Sequence, residues 1–517
     1  MKIDYKVIAA SALCSALMVG CSDSNSPAPA VEVIPTPYAR LAPLAAQTAT
    51  ISIADPDGTP VVTITGQPND MVLTATVTAI SATSLNLDLG LTNNAGRLLF
   101  NPKVVIDETA STVGTALLNG SGNYTNTNAD EFVSLGDTAI DTGASTDAAN
   151  STTMSITVID TTDPIILEVS IPTEDSTIYV SAGRGSTGTT LPFIDVSNSK
   201  SASSIDLSAL AFIRQDQARP RDGVSSVDGK YTYFGHSQLS VVITVDTLTH
   251  EVSAIPLSID GQVAAIPGVD ISPDGAYLYA TQLDGDHIRQ SAPGGGEIIA
   301  RLIKIDTGTH EEMSRVDLVI PVDENTLPGQ SSGSGVPYEP SISVDGTKAV
   351  VLIKDSSTAF IVDLATMTVD KLLTVTGSSN IRMAALSPDN KFVYVGDKSS
   401  NLWVIDVATG LTTSVTETGF GTTRGVQFVG TQLYVLTNSG DIEVFDFATD
   451  DYSVPTANNS FTFTGSTAYN FAFGPYGKYY YICYNGADTI QVDITDNSEV
   501  NSINSGNRGH TCVVSAY

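Results

Sequence analysis

The sequence predicts an all-β protein whose C-terminal two-thirds is a seven-bladed β-propeller with C-terminal strand closure. Three observations support this fold class. Many short segments alternate apolar and polar residues with period two, which is typical of half-buried strands. A phrase of two strands joined by an Asp-Gly or Asp-Asn turn recurs from about residue 170. A second phrase, a strand ending in aspartate before a small-residue turn, occurs seven times and sets the number of blades.

Composition limits what the chain can do. Its 517 residues are too many for one core, so two domains are expected. The chain has 24 Lys and Arg against 56 Asp and Glu, a net charge of −32. Such a surface repels phosphate backbones, and we expect no nucleic-acid partner. We find no cofactor motif and no histidine pair with metal-ligand spacing, so neither a cofactor nor a metal is predicted.

Residues 1–21 have the pattern of a lipoprotein signal peptide. A short positive region precedes an apolar stretch, Val7 to Gly20, that is too short to span a bilayer as a stable helix. The stretch ends in Leu-Met-Val-Gly-Cys, which resembles the lipobox of bacterial lipoproteins. The resemblance implies that Cys21 is lipidated, and Ser22 implies sorting to the outer membrane. We therefore expect a lipid anchor in the bacterial cell envelope, facing the periplasm or the surface. The alternative is an ordinary secretory signal.

Two segments lie between the signal and the repeat. Residues 22–46 are rich in proline and predict an extended tether. Residues 47–168 contain several short runs of alternating apolar and polar residues, which predict an immunoglobulin-like β-sandwich. Within it, the stretch from Asn119 to Ser151 is rich in Gly, Asn, Thr and Ser, and we expect it to form a long loop.

The repeat occupies residues 169–517. Its first phrase is clearest in GVDISPDGAYLYA (268–280) and AALSPDNKFVYVG (384–396). Each unit supplies strands a, b, c and d, and a ring of such units buries faces that one unit cannot. His250 and His310 follow c–d turns and are expected to be exposed. The aspartates that end the c strands are expected to bond the turn backbone; they are Asp195, Asp246, Asp306, Asp363, Asp406, Asp446 and Asp493.

The two ends of the repeat complement each other. Residues 176–209 look like strands b, c and d without a strand a, whereas residues 508–517 look like a strand a with nothing after it. We therefore expect the C-terminal strand to enter the first blade and close the ring. Cys483 and Cys512 fall on either side of this seam, and an exported protein is predicted to pair them in a disulfide.

The phrase SPDNKFVYVG followed by VIDVAT resembles the YVTN-type propellers of bacteria and archaea. These belong to a wider group that includes the quinoprotein amine dehydrogenases and the lactonase-type propellers. The resemblance covers about residues 170–517 and implies the fold. It implies no single function, because those relatives do unrelated things. WD40 signature residues are absent.

Arginines gather on one face of the expected ring. Strand a runs from the top face to the bottom, so d–a and b–c loops lie on top, as do insertions at 284–297 and 321–340. Arginine forks bind carboxylates and phosphates, and such a collar predicts an anion site. Alternatively, these arginines pair with neighbouring acids and lock the blades together. The expected site comprises Arg184, Arg214, Arg219, Arg221, Arg289, Arg382, Arg424 and Arg508, with Tyr338 facing the channel mouth.

The leading hypothesis is a non-enzymatic binding protein whose top face holds an anionic small molecule, a glycan or an envelope protein. A rival is an enzyme of lactonase or lyase type. There, His510 or His287 is the general base, and Arg508 or Arg382 holds a substrate carboxylate. A third possibility is an envelope scaffold.

Overall fold

A computed structural model provides the structure of the chain. It describes residues 47–54, 58–67, 71–81, 83–94, 102–107, 110–111, 122–123, 131–135, 152–157, 164–171, 176–181, 190–196, 202–210, 220–258, 265–283, 298–320, 336–354, 356–378, 380–415, 421–449, 451–463, 465, 467–475, 477–485, 488–504 and 511–516. The predicted signal peptide, the tether and Cys21 lie outside these residues.

The first part of the chain forms two antiparallel sheets. One has the strand order β2-β1-β9-β5-β7-β6 and the other β3-β4-β8. Alternate apolar residues from both sheets, such as Ile51, Leu89 and Leu167, share one core. The strands are β1 (Gln47–Ala54), β2 (Val61–Thr65), β3 (Met71–Ile80), β4 (Ser84–Asn93), β5 (Lys103–Asp107), β6 (Gly122–Asn123), β7 (Glu131–Ser134), β8 (Thr152–Thr157) and β9 (Ile165–Ile171).

Two details of this part differ from the expectation. The stretch from Asn119 to Ser151 contributes β7, because Phe132 is buried and Val133 pairs with Val104 of β5. Position 168, the expected domain boundary, falls within β9, which lies between β1 and β5 in the sheet. The immunoglobulin-like assignment stays a prediction.

The repeat forms seven four-stranded antiparallel sheets within the described residues. A 3-10 helix, Leu207–Ala209, follows the third strand. The strands are β10 (Ser176–Ser181), β11 (Thr190–Asp195), β12 (Ala202–Asp206), β13 (Pro220–Ser225), β14 (Tyr231–His236), β15 (Val241–Asp246), β16 (Val252–Pro256), β17 (Ala265–Ile271), β18 (Tyr277–Leu283), β19 (Ile298–Asp306), β20 (Glu312–Ile320), β21 (Pro337–Ile342), β22 (Lys348–Ile353), β23 (Thr358–Asp363), β24 (Thr368–Thr374), β25 (Ile381–Leu386), β26 (Phe392–Asp397), β27 (Leu402–Asp406), β28 (Thr412–Ser414), β29 (Thr423–Val429), β30 (Gln432–Thr437), β31 (Asp441–Ala448), β32 (Asp451–Thr462), β33 (Ala468–Phe473), β34 (Tyr479–Tyr484), β35 (Asp488–Asp493), β36 (Glu499–Asn504) and β37 (Thr511–Ala516).

These sheets are the blades of a β-propeller. Blades two to seven each take four consecutive strands, beginning at β13, β17, β21, β25, β29 and β33. Their first strands are innermost, and each contacts the first strand of the next blade. Strand β37 contacts both β33 and β13 and so completes the inner ring.

The C-terminal strand closes the ring, as predicted. Blade one has the order β12-β11-β10-β37, so its inner strand is the last strand of the chain. The pairing of β10 with β37 runs without a register shift from Ser176↔Ala516 to Ser181↔Thr511. Cys512 on β37 forms a disulfide with Cys483 on β34 of blade seven, with a Cα–Cα distance of 5.9 Å. The predicted disulfide across the seam is therefore confirmed.

Repeated turn chemistry shapes the bottom face. In blade two, the Ser226 hydroxyl donates to Asp228 Oδ1 at 2.6 Å, and the backbone N–H of Lys230 donates to the same oxygen. Gly229 takes the positive φ of 73° that this turn requires. Blades three, four and five repeat the serine–aspartate bond at Ser272–Asp274, Ser343–Asp345 and Ser387–Asp389.

The c–d turns are held by the aspartates that end the c strands. Asp246 Oδ1 accepts hydrogen bonds from the backbone N–H groups of Leu248 and Thr249. The same pattern recurs at Asp306, Asp363, Asp406 and Asp493, with one or two backbone donors each. This bonding agrees with the structural role expected for these five aspartates, whereas Asp446 accepts hydrogen bonds from the side chains of Gln432 and Asn458.

His250 and His310 are half-buried, and the expectation that they are exposed was wrong. Each takes a left-handed conformation after its turn, with φ of 57° and 59°. The imidazoles lie against aromatic rings of the preceding blade. The His250 centroid is 4.1 Å from that of Phe193, and the His310 centroid is 5.5 Å from that of Tyr231. Burial lowers the pKa of both histidines, although Asp246 and Asp306 oppose it.

Candidate functional site

The entry to the inner strands, on the top face, is marked by β-bulges. Among the described residues, six inner strands shift register against their b strands within the first few residues. A bulge leaves an extra residue unpaired and re-aims its side chain. We call the residues inserted here the bulge ring; they are Arg221, Asp222, Ile266, Pro267, Tyr338, Glu339, Arg382, Arg424 and Tyr469.

Four residues of the bulge ring, Asp222, Glu339, Arg382 and Arg424, line a central channel. The channel has a volume of about 180 Å³ and is lined by residues from all seven inner strands. Its polar lining is divided by charge, with carboxylates on blades two to four and arginines on blades five and six. One lining residue from each inner strand shows this division: Asp222, Asp270, Glu339, Arg382, Arg424, Asn470 and Cys512, from blades two to seven and then blade one.

Arg382 and Arg424 form the basic side. They lie on neighbouring inner strands, β25 and β29. The Nε atom of each is buried without a hydrogen-bond partner, and neither guanidinium forms a salt bridge within the described ranges. The Arg424 guanidinium carbon lies 4.8 Å from the centroid of the Tyr469 ring. Burial and the nearby charge of Arg382 lower the pKa of Arg424.

Two carboxylates on the acidic side connect neighbouring blades. Asp222 on β13 accepts hydrogen bonds from the backbone N–H groups of Val269 on β17 and Gly223. Asp270 on β17 accepts from the backbone N–H of Ile342 on β21 at 2.9 Å. Burial, followed by the charge of Glu339, raises the pKa of Asp222 well above its ordinary value. These two side chains therefore serve the ring as well as the channel.

Glu339 is the third channel carboxylate. Burial raises its pKa to about 7, with Arg221 opposing the rise and Asp270 adding to it. Arg221 lies on blade two and Glu339 on blade four, so their charges interact across the first residues of the inner strand of blade three. Gly268 of blade three lies close to the backbone of Glu339, because a Cβ there would lie 2.4 Å from the Glu339 Cα atom. The positive charge of Arg221 therefore acts on Glu339, and whether Arg221 belongs to an anion site or locks blades together stays a prediction.

Sequence reasoning missed Glu339. A signal was nevertheless present, because Asp222 and Glu339 each stand six residues before a turn aspartate, Asp228 and Asp345. The repeat position that predicted Arg221 and Arg382 lies one residue earlier. Asp222, Glu339, Arg221 and Arg382 all lie within the bulges.

The other predicted site residues have different outcomes. Tyr338 is only 7% exposed and belongs to the apolar cluster between blades four and five, and it lies near enough to Arg424 to act on the pKa of that guanidinium. Its expected position facing the channel mouth stays a prediction. Arg184, Arg214, Arg219, Arg289, Arg508, His287 and His510 lie outside the described residues.

The described ranges contain no group of three or more His, Cys, Asp or Glu side chains that could hold a metal ion. Across the same part of the chain, no helix has both the length and the apolar character needed to cross a membrane.

Comparison with known proteins gives distant likenesses of fold. No protein-family model matches the chain, and no curated protein matches it. Among solved structures, a hydrazine synthase from Kuenenia stuttgartiensis is 17% identical with a TM-score of 0.42, over 58% of this chain and 90% of that chain. A functionally unknown protein from Desulfotomaculum acetoxidans is 14% identical with a TM-score of 0.46, over 65% and 98%. A β-propeller domain from Myceliophteria thermophila is 14% identical with a TM-score of 0.41, over 55% and 86%.

Proposed function

We propose that the protein is a binding protein of the cell envelope that holds an anionic ligand between Arg382 and Arg424 at the top of its channel. The observation that carries the proposal is that the Nε–H donors of the two arginines lack hydrogen-bond acceptors. Their Nε atoms are buried, and no described residue accepts a hydrogen bond from either. A buried donor without an acceptor costs free energy, and an anion in the channel removes that cost.

The channel carboxylates provide a contrast within the same site. Asp222 and Asp270 accept backbone hydrogen bonds from the neighbouring blade, so the protein itself satisfies them. Glu339 interacts with Arg221. Arg382 and Arg424 have no such acid among the described residues, and their charges repel one another. The two guanidiniums are therefore the groups in the ring that gain most from a ligand.

Tyr469 supports the orientation of one guanidinium. A cation over an aromatic face is held by the quadrupole of the ring, and arginine stacks on such a face while keeping its edge donors available. At 4.8 Å, the Arg424 guanidinium is within the range of this interaction. Stacking reduces the conformational entropy that Arg424 loses when a ligand binds.

The remaining parts of the proposal concern location and partners. A lipid on Cys21 tethers the protein to the bacterial outer membrane, and the ligand is a small molecule, a glycan or an acidic segment of an envelope protein. Intact-mass analysis of the membrane fraction tests the lipid. An unmodified Cys21, or recovery of the protein in the soluble fraction of wild-type cells, contradicts it. The lactonase- or lyase-type enzyme and the envelope scaffold remain the alternatives.

A thermal-shift screen tests the binding function. The probes are glucuronate, a sulfated disaccharide, malonate and sulfate, tested on the wild-type protein and on Arg382→Gln and Arg424→Gln variants. We expect at least one anion to raise the Tm of the wild type and to lose most of that effect in both variants. Arg315→Gln is the matched control, because Arg315 bonds Glu312 on the outer strand β20. If no anion stabilises the wild type, the proposal is wrong.

A further inference from the structure

We infer that the ligand is a compact dianion, such as a short dicarboxylate or a tetrahedral dianion. One side of the ligand accepts hydrogen bonds from the Arg382 guanidinium, and the other side accepts them from the Arg424 guanidinium. The inference deepens the proposed function and rests on it. It distinguishes this class from monoanions and from extended polyanions.

The first step is the balance of charge. Arg382 and Arg424 contribute two positive charges from adjacent inner strands. No salt bridge to either is found in the part of the chain that the structure describes. A monoanion between them leaves one positive charge partly desolvated, whereas a dianion balances both. Because the site is half-buried, this difference is screened less than it is at an open surface.

The second step is the number of available donors. A guanidinium presents five N–H donors in a fixed plane, and its Nε side forms a two-pronged fork. The Nε atoms of both Arg382 and Arg424 lack an acceptor among the described residues. One carboxylate fills one such fork with its two oxygens. Filling both forks takes either a second carboxylate or a group with more than two acceptor oxygens.

The opposite wall sets the size limit. Asp222, Asp270 and Glu339 line blades two to four of the same channel, and Glu339 is mostly ionised at pH 8 because its pKa is about 7. A long polyanion that crosses the channel mouth meets these carboxylates. A compact dianion seated against blades five and six avoids them. The division of charge across the channel therefore favours a short ligand.

Calorimetric titration with two ligands of nearly equal size tests the inference. Malonate carries two carboxylates, and its monomethyl ester carries one with similar bulk. On the full chain at pH 8, we expect malonate to bind about tenfold tighter or more, in line with the loss of one charge-assisted hydrogen-bonding group. Arg424→Gln is expected to reduce that ratio to about two or less, whereas Arg315→Gln keeps it.

The outcomes separate the inference from the function beneath it. Equal affinity for malonate and its monomethyl ester, with both lost in Arg382→Gln, overturns the dianion and leaves the anion site intact. Tighter binding of a long sulfated oligosaccharide than of malonate or sulfate overturns the size limit. If sulfate binds more tightly than malonate, the ligand is a tetrahedral dianion. If malonate binds more tightly, the ligand is a dicarboxylate. Binding by none of these anions overturns the anion site itself.

Discussion

Gly268 of blade three lies directly against the backbone of Glu339 of blade four, and a Cβ at Gly268 would stand 2.4 Å from the Glu339 Cα atom. The next nearest atoms to that Cβ are the Glu339 Cγ and N, so a shift of one flexible side chain does not relieve the contact. The distance between blades three and four at the channel mouth therefore depends on a residue without a side chain.

The first prediction concerns this contact. Gly268→Ala should lower the free energy of unfolding by about 1–3 kcal/mol, the usual cost of overpacking a tight interior. Gly308→Ala is the control in the same blade, because its Cβ would meet only Asp306 Oδ1 at 3.4 Å. Urea denaturation of both variants measures the difference. Equal stability of Gly268→Ala and the wild type would show that the blades are not in close contact here.

The second prediction concerns the pH dependence of anion binding. Because the pKa of Glu339 is raised to about 7, its carboxyl is mostly neutral below pH 6 and mostly ionised above pH 8. The ionised form adds a negative charge to the channel, so affinity for sulfate, a dianion throughout this range, should fall as pH rises. Glu339→Gln should reduce this slope, with any remainder from Asp222, whose pKa is also raised, and Glu312→Gln, on an outer strand, should keep it. A slope of equal size in all three proteins contradicts the role of Glu339.

The third prediction concerns His250 and His310. Their folded-state pKa values lie below the ordinary value of 6.5, so the unfolded chain binds protons first as pH falls. Their contribution to stability is full above about pH 6.5 and is lost as pH falls towards the folded pKa. Asn497 holds the equivalent left-handed position in blade seven, with φ of 55°.

Asparagine is therefore the conservative replacement. The double variant His250→Asn, His310→Asn should lose less stability than the wild type between pH 7 and pH 5.5, as measured by urea denaturation at each pH. An unchanged pH profile would show that neither imidazole is desolvated in the folded protein.

The fourth prediction concerns the seam. The Cys483–Cys512 disulfide closes a loop with a sequence separation of 29. By the loop-entropy relation, its removal should lower the free energy of unfolding by about 3–4 kcal/mol. The double variant Cys483→Ala, Cys512→Ala measures this loss in urea, with the reduced wild type for comparison. Two free thiols in the denatured, unreduced protein would contradict the disulfide directly.

The sequence predicted the ring well because its signals are local. The Ser-Pro-Asp-Gly turns and the aspartates that end c strands form bonds within a few residues, as Asp246 and Asp228 show. Counting these turns counts the blades. The closure was predictable because the C-terminal strand had no partner nearby in the sequence.

The candidate site was predictable only in part. A bulge depends on the register between strands a and b, which the period-two pattern of one strand does not contain. The different surroundings of Arg221 and Arg382 depend on Glu339, an acid from a different blade whose pKa is affected by Arg221. The half-buried His250 likewise depends on Phe193 of the preceding blade. Such contacts arise only when the ring closes.

The central claim is that Arg382 and Arg424 together bind an anion at the top of the channel. Calorimetric titration of sulfate into the wild type, the double variant Arg382→Gln, Arg424→Gln and the control Arg315→Gln tests it most directly. We predict saturable one-site binding to the wild type and the control, and affinity at least about a hundredfold lower in the double variant, from the loss of two charge-assisted groups. Binding of unchanged affinity to the double variant would contradict the claim.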